Sequence, residues 1–234
     1  MKNVFMFTDQ SRCYDAHGNE ITCKGHGQDA THKCPPEKAL LASKARFDRR
    51  DNLVQDTLFG HLWAQNANLA QFPLAWDEAH DFIADMNTEA YAGATNWQLP
   101  PRKALFSLIS HQNVNPALPH GHPFNNVFPG YYWTSDTCSR LPDQAWYLHL
   151  GGGRIFRGMK HGSYLIWPVI ISAQTSSELT AERFSTAGPL RFDHDNKLTW
   201  LFDDPYFKSP LSWADAIKVT RKMNHEKRYG CSRW

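Results

Sequence analysis

The sequence lacks the features that identify membrane-spanning and nucleic-acid-binding proteins. No stretch approaches the about 18 consecutive apolar residues of a membrane-spanning helix. The net charge of +2 is far from the basic surplus of a nucleic-acid-binding domain. Residues 1–7 hold one lysine and an apolar run that is too short for a signal peptide. We therefore expect no membrane span and no nucleic-acid partner.

Catalytic motifs are also missing. The chain has no GxSxG, P-loop or HExxH motif, and no GxGxxG sequence follows a strand pattern. Its five cysteines contain no CxxC pair of the kind that binds zinc. These absences predict a chain that is not an enzyme.

Cysteine is scarce and odd in number. Cys13 and Cys23 enclose a short polar loop, where a disulfide would contribute about 2–4 kcal/mol of stability. A bond between Cys34 and Cys138 is a further pairing, and free thiols throughout are the alternative. Cys231 is expected to be unpaired.

Aromatic residues are abundant instead, at 13% with nine tryptophans. Several of them recur in two parts of the chain. The repeated features are Arg46-Phe47-Asp48 with Arg191-Phe192-Asp193, Trp76 with Trp213, Met86-Asn87 with Met223-Asn224, Gly93 with Gly230, and Trp97 with Trp234. An internal repeat of this kind indicates two copies of one module.

The repeat predicts four segments. They are an irregular arm (1–45), a complete domain (46–173), a linker (174–190) and an incomplete second copy (191–234). The early stop of the second copy is expected of a fragment of a longer protein or of a natural truncation.

Hydrophobic spacing predicts helices before strands in the complete domain. Trp76, Ala79, Ile83 and Met86 fall on one helical face, with Pro73 in the first turn. A short second helix is predicted from the prolines after Leu99. In the second copy, Ser209 and Pro210 are predicted to be the N-cap and first residue of the equivalent helix. From residue 131 onward, short aromatic and β-branched runs between glycines and prolines predict antiparallel strands. This is an α+β pattern.

The motifs along the chain resemble one bacterial family. They are Cys13-Tyr14-Asp15, Gly27-Gln28-Asp29, Trp97-Gln98-Leu99-Pro100, Tyr132-Trp133-Thr134-Ser135 and Trp167-Pro168-Val169. Their order is similar to that of the Lcl C-terminal domain family, named for a collagen-like adhesin. The resemblance implies a C-type lectin-like fold, in which two helices pack on a twisted antiparallel sheet with long loops. It also implies export, attachment to the cell surface and adhesion.

A ligand surface is predicted on the aromatic and basic strands. Its candidate residues are Tyr131, Trp133, Arg154, Arg157 and Lys160. Tyrosine and tryptophan rings stack on sugars, and arginine binds sulfate or carboxylate groups through two hydrogen bonds. The alternative is an ordinary solvated strand face.

Two clusters contain residue types that bind metal ions. One contains the histidines His111, His120 and His122, and the other contains the oxygen ligands Asp48, Asp51, Asn52 and Asp56. The histidines lie in a loop rich in proline and glycine, and the acidic segment lacks the spacing of an EF-hand. We therefore expect no metal and no cofactor, with calcium as the remaining alternative.

The sequence thus predicts a non-catalytic, secreted or cell-surface adhesion module. Its expected partner is a glycan or a host or bacterial surface protein, and homo-oligomers are compatible with this role. One alternative is an enzyme, either of the formylglycine-generating type or metal-dependent. The first type would need a pair of reactive cysteines, whereas only Cys138 lies in the second half of the complete copy. Another alternative is a structural spacer in a surface appendage.

Overall fold

The computed structural model describes residues 8–31, 44–172, 183–195, 197–202, 204 and 209–234. These residues divide into two compact units. The larger unit contains residues 8–10 and 44–172, and the smaller unit contains residues 11–31 and the described residues from 183 onward. Cys34 and most of the predicted linker lie outside the described residues.

The larger unit contains two antiparallel sheets. Their strands are β3 (Phe47–Arg50), β4 (Leu53–Asp56), β5 (Leu62–Ala64), β6 (Tyr131–Thr137), β7 (Gln144–His149), β8 (Arg154–Met159) and β9 (Val169–Ile170). One sheet has the order β3-β4-β5-β9, and the other is a meander with the order β6-β7-β8.

Two helices connect these sheets, α1 (Trp76–Thr88) and α2 (Arg102–Ser107). The predicted apolar stripe of α1 is confirmed, since Ala79, Ile83 and Met86 are buried. Pro73 lies before the helix and not in its first turn, because Ala75 is the N-cap. The backbone N–H of Ala75 donates to the Glu78 carboxylate at 2.8 Å. This bond satisfies an N–H group that has no partner within the helix.

Tryptophan rings build the core of the larger unit. Trp63, Trp97, Trp133 and Trp167 are at most 3% exposed. Three of them donate their indole N–H to backbone carbonyls: Trp97 to Tyr91, Trp133 to Leu74 and Trp167 to Ala64, at 2.9–3.0 Å. These bonds remove the cost of burying a polar N–H group.

The predicted C-type lectin-like arrangement of two helices on one sheet is wrong. The described residues form twelve strands in four separate sheets, and only α1 and one helix of the smaller unit exceed two turns. The error lies in the segments read as an arm, an acidic loop and a linker. Strand β3, for example, carries exposed charged residues from Asp48 to Arg50. It therefore lacks the alternation of apolar and polar residues by which a strand is recognised in a sequence.

The smaller unit contains two further sheets and a third helix. A disulfide joins Cys13 and Cys23 across the first sheet, as predicted. The elements are β1 (Cys13–Tyr14), β2 (Glu20–Ile21), β10 (Phe184–Ala187), β11 (Leu190–Asp193), β12 (Leu198–Leu201) and α3 (Trp213–His225).

The N-cap of α3 differs from the prediction. Ser212 caps the helix, and its hydroxyl accepts the backbone N–H of Asp215 at 3.1 Å, so Ser209 and Pro210 precede the helix. The predicted pairing of Cys34 with Cys138 involves one residue outside the description, and Cys138 is a buried free thiol. Within the residues described, none of the helices has the length and apolar character needed to cross a membrane.

Candidate binding surface

The meander β6-β7-β8 presents two different faces, because side chains alternate along each strand. Tyr132, Leu148 and Ile155 belong to the cluster that packs with Leu105 of α2. The strand register aligns Tyr131 with His149, which pairs in turn with Arg154, and aligns Tyr147 with Phe156. These side chains therefore lie on the face opposite α2.

Four rings form what we call the aromatic face: Tyr131, Tyr147, Phe156 and Tyr164. The centroid of Tyr131 lies 5.4 Å from that of Tyr147 and 5.6 Å from that of Tyr164. Tyr147 lies 4.5 Å from Tyr164 and 5.9 Å from Phe156. Tyr131 is 45% exposed and Phe156 is 41% exposed. Large apolar rings on a protein surface at this density are typical of a contact site.

Gly158 makes room for the fourth ring. A Cβ atom at this position would lie 2.8 Å from the hydroxyl oxygen of Tyr164 and 3.0 Å from the ring of Tyr147. The absent side chain thus lets Tyr164 lie against the sheet. Burial raises the pKa of Tyr147, and the neighbouring Tyr164 adds to the shift.

A buried tryptophan lies beside the rings of the aromatic face. Trp133 shares the side of the sheet with Tyr131, but it is fully buried. Its indole N–H donates to the carbonyl of Leu74, and its ring lies 4.4 Å from that of Tyr164. Trp133 therefore packs against Tyr164 of the aromatic face and is itself shielded from a ligand.

The basic candidates occupy different places. Arg154 is exposed and pairs with His149, whose ring lies 4.8 Å from Tyr131. Arg157 is exposed on the other side of β8, opposite Trp146. The Lys160 ammonium lies 4.2 Å from the ring centroid of Trp76, at the start of α1. Of the three cations, Arg154 is the one aligned with the aromatic face.

The histidines considered as metal ligands have separate surroundings. The backbone N–H of His111 donates to Asp9 at 2.7 Å, and its ring Nδ1 lies 3.7 Å from the same carboxylate. His122 lies against Phe124, and burial, with a contribution from His120, lowers its pKa. Across the part of the chain that the structure describes, no group of three or more His, Cys, Asp or Glu side chains could hold a metal ion.

The acidic residues considered for calcium are engaged elsewhere. Asp56 is buried and receives two hydrogen bonds from Arg46, at 3.0 and 2.6 Å. Asp48 is exposed and pairs with Arg50 at 3.0 Å. Asp51 and Asn52 form the turn between β3 and β4.

The sequence predictions missed Tyr147, His149, Phe156 and Tyr164. The first three have a sequence signal, because Tyr147 and His149 alternate with Trp146 and Leu148 along β7. Phe156 follows once the β7–β8 register is fixed. Tyr164 has no such signal, since it reaches the sheet from a later loop through the space beside Gly158.

A family model supports the resemblance seen in the sequence. The model of the Lcl C-terminal domain matches residues 52–170, just over half of the chain. The match ends at the last residue of β9 and includes the whole aromatic face. No curated protein matches the chain significantly.

Proposed function

Because the chain belongs to the Lcl C-terminal domain family, a family of surface, adhesin-type domains, we propose that the larger unit is a non-catalytic binding module. Its binding surface is the aromatic face with Arg154 at one end. The ligand is a glycan of the cell surface or a glycan-bearing surface protein, and no metal or cofactor takes part.

The observation that carries this proposal is the exposure of Tyr131 and Phe156 on one face of the sheet β6-β7-β8. Each ring is held by neighbouring rings at 5.4–5.9 Å, so little side-chain entropy is lost when a ligand packs on it. Rigid, half-exposed aromatic rings bind the apolar faces of sugars and also anchor protein contacts.

The polar groups suit a glycan that carries acidic substituents. The Arg154 guanidinium offers a planar fork that matches sulfate and carboxylate oxygens. His149 lies between this arginine and Tyr131. A sugar ring stacked on Tyr131 would therefore place an acidic substituent within reach of Arg154.

The enzyme alternatives have less support. A metal-dependent reaction needs converging ligands, and the described histidines contact different partners. Cys138 is buried, and thiol chemistry needs access to substrate. A purified full-length chain without stoichiometric copper, zinc or iron is the expected result of metal analysis.

The proposal is tested on a glycan array that displays neutral and sulfated sugars. We expect Tyr131→Ala to weaken binding at least about tenfold, or about 1.4 kcal/mol. Arg154→Gln should weaken binding to the sulfated sugars alone. The matched controls are Phe72→Ala, which removes a 59% exposed ring from a loop of the same unit, and Arg140→Gln, which removes an exposed cation.

Binding that the controls reduce as much as Tyr131→Ala does would place the site elsewhere. A chain that binds no sugar on the array, and shows no Tyr131-dependent binding to purified surface glycoproteins, would leave the aromatic face without this function.

A further inference from the structure

Two basic side chains, His149 and Arg154, lie at one end of the aromatic face, and we call them the basic corner. They pair directly across β7 and β8, so their Cβ atoms are about 4.5–5.5 Å apart on one side of the sheet. The His149 ring is half-buried, and its centroid lies 4.8 Å from that of Tyr131. A ligand that packs on Tyr131 therefore meets both members of the basic corner.

The turn after β7 holds the imidazole of His149 in this place. A Cβ atom at Gly151 would lie 2.9 Å from Nε2 and 3.0 Å from Cε1 of the His149 ring. The carboxamide oxygen of Asn115 lies 3.0 Å from the same position, and the backbone N–H of Asn115 donates to the Gly151 carbonyl at 3.0 Å. Because Gly151 has no side chain, the ring can lie along the turn. The fold thus positions the imidazole before a ligand binds.

The groups that face His149 carry no negative charge. Strand β6 contributes the phenol of Tyr131, β8 contributes the guanidinium of Arg154, and the loop before β6 contributes the neutral carboxamide of Asn115. On β7 itself, Tyr147 lies two positions earlier on the same face. Within the described part of the chain, no Asp or Glu forms an ion pair with either member of the basic corner. An acidic ligand would be the first counter-ion at this place.

Protonation of the histidine and binding of an acidic ligand are therefore coupled. Histidine side chains change charge between about pH 5 and pH 8, whereas arginine stays charged. In the free protein, a proton on His149 is opposed by the positive charge of Arg154, and an acidic group bound beside them removes that opposition. Linkage is reciprocal, so a proton on His149 strengthens the binding of the acidic group by the same factor.

We propose that His149 is a protonation-dependent specificity residue of the binding surface. In its protonated form it joins Arg154 as a second cation, and the surface then favours glycans with sulfate or carboxylate groups more strongly over neutral glycans. In its neutral form the imidazole offers hydrogen bonds only, and discrimination rests on Arg154. This inference rests on the proposed function, because it concerns the same surface and the same class of ligand.

Isothermal titration calorimetry of the full chain at constant ionic strength tests the inference. The probes are a disaccharide with one O-sulfate group and the same disaccharide without sulfate. From about pH 7.5 to about pH 5.5, the affinity for the sulfated probe should rise at least about fivefold, and the affinity for the neutral probe should change less than about twofold. Binding enthalpies measured in two buffers of different ionisation enthalpy should show proton uptake with the sulfated probe alone.

Three histidine variants assign the effect to one residue. His149→Gln keeps a polar side chain that cannot gain a proton, so the pH dependence and the proton uptake should both disappear. His149→Lys carries a fixed charge and should bind the sulfated probe with similar affinity at both pH values. His120→Gln, which replaces an exposed histidine in a loop of the same unit, should behave like the wild-type chain.

Two results overturn the inference and leave the proposed function intact, provided that Tyr131→Ala still weakens binding. One is a pH dependence that persists in His149→Gln. The other is a wild-type chain that binds the sulfated probe equally tightly at both pH values. If neither disaccharide binds the wild-type chain at either pH, or if Tyr131→Ala has no effect, the proposed function and this inference fail together.

Discussion

Helices α1 and α3 begin at Trp76 and Trp213 and are each followed by a similar turn. Residues 90, 92 and 93 have positive φ angles of 50°, 52° and 77°, and residues 227, 229 and 230 have angles of 47°, 54° and 75°. Only Gly93 and Gly230 are glycines, so the other four positions carry side chains in the left-handed region. Two stretches with different turn residues thus adopt one strained conformation.

One side-chain contact explains this agreement. The carboxamide of Asn87 accepts the backbone N–H of Trp97 at 2.7 Å and donates to its carbonyl at 2.9 Å. Asn224 makes the same two bonds with Trp234, at 2.7 and 3.4 Å. The contact joins residues ten positions apart, so it depends on local sequence alone. Burial of the tryptophans in the preceding sheets differs, because it depends on distant strands.

The largest expected difference in stability between the two units concerns Trp63 and Trp200, which lie at equivalent positions of the two sheets. Trp63→Ala should lower the free energy of unfolding of the larger unit by about 4 kcal/mol, since it empties a fully buried site. Trp200→Ala should cost within about 1 kcal/mol, because its ring is 54% exposed. Native-state hydrogen exchange of β4 and β11 measures each unit separately. Equal losses of unfolding free energy in the two units would mean that Trp200 is covered in solution.

The sequence allowed good prediction of features that depend on neighbours along the chain. The apolar stripe of α1, the disulfide between Cys13 and Cys23 and the strands after residue 131 all depend on short spacings.

Features that depend on register could not be predicted in the same way. Arg46 is fully buried and its guanidinium donates to Asp56, which the register places opposite the neighbouring Phe47. The sequence shows only two charged residues in a polar segment. Of the four rings of the aromatic face, Tyr131 alone was predicted. Tyr147 and Phe156 depend on the strand register, and Tyr164 arrives from a loop. The prediction of a single sheet was wrong for the same reason, since an edge strand rich in charged residues, such as β3, has the composition of a loop.

The second contrast tests the buried ion pair. Arg46→Ala should cost the larger unit about 3 kcal/mol, since it leaves the Asp56 carboxylate buried without its cation. Arg183→Ala removes the equivalent hydrogen bonds to Asp193, but the arginine is 51% exposed and water can replace it. The loss there should be clearly smaller. Urea unfolding followed by exchange of β3 and β10 compares the two variants.

A control separates the charge from the packing of this arginine. Arg46 also lies over the rings of Phe47 and Phe59, at 4.8 and 5.1 Å. The double variant Arg46→Met with Asp56→Leu keeps apolar volume and removes both charges, so it should recover most of the lost stability. If Arg46→Ala and Arg183→Ala destabilise their units equally, burial does not decide the strength of the pair.

The smallest expected effect should be the same in both regions. Asn87→Ala and Asn224→Ala each remove two hydrogen bonds to a tryptophan backbone, at a cost of about 1–2 kcal/mol. Exchange of the Trp97 and Trp234 amide hydrogens should accelerate to a similar extent, because each contact is local. A much larger effect for Asn87 would show that the rest of the larger unit holds this turn, and the repeated conformation would then be tertiary in origin.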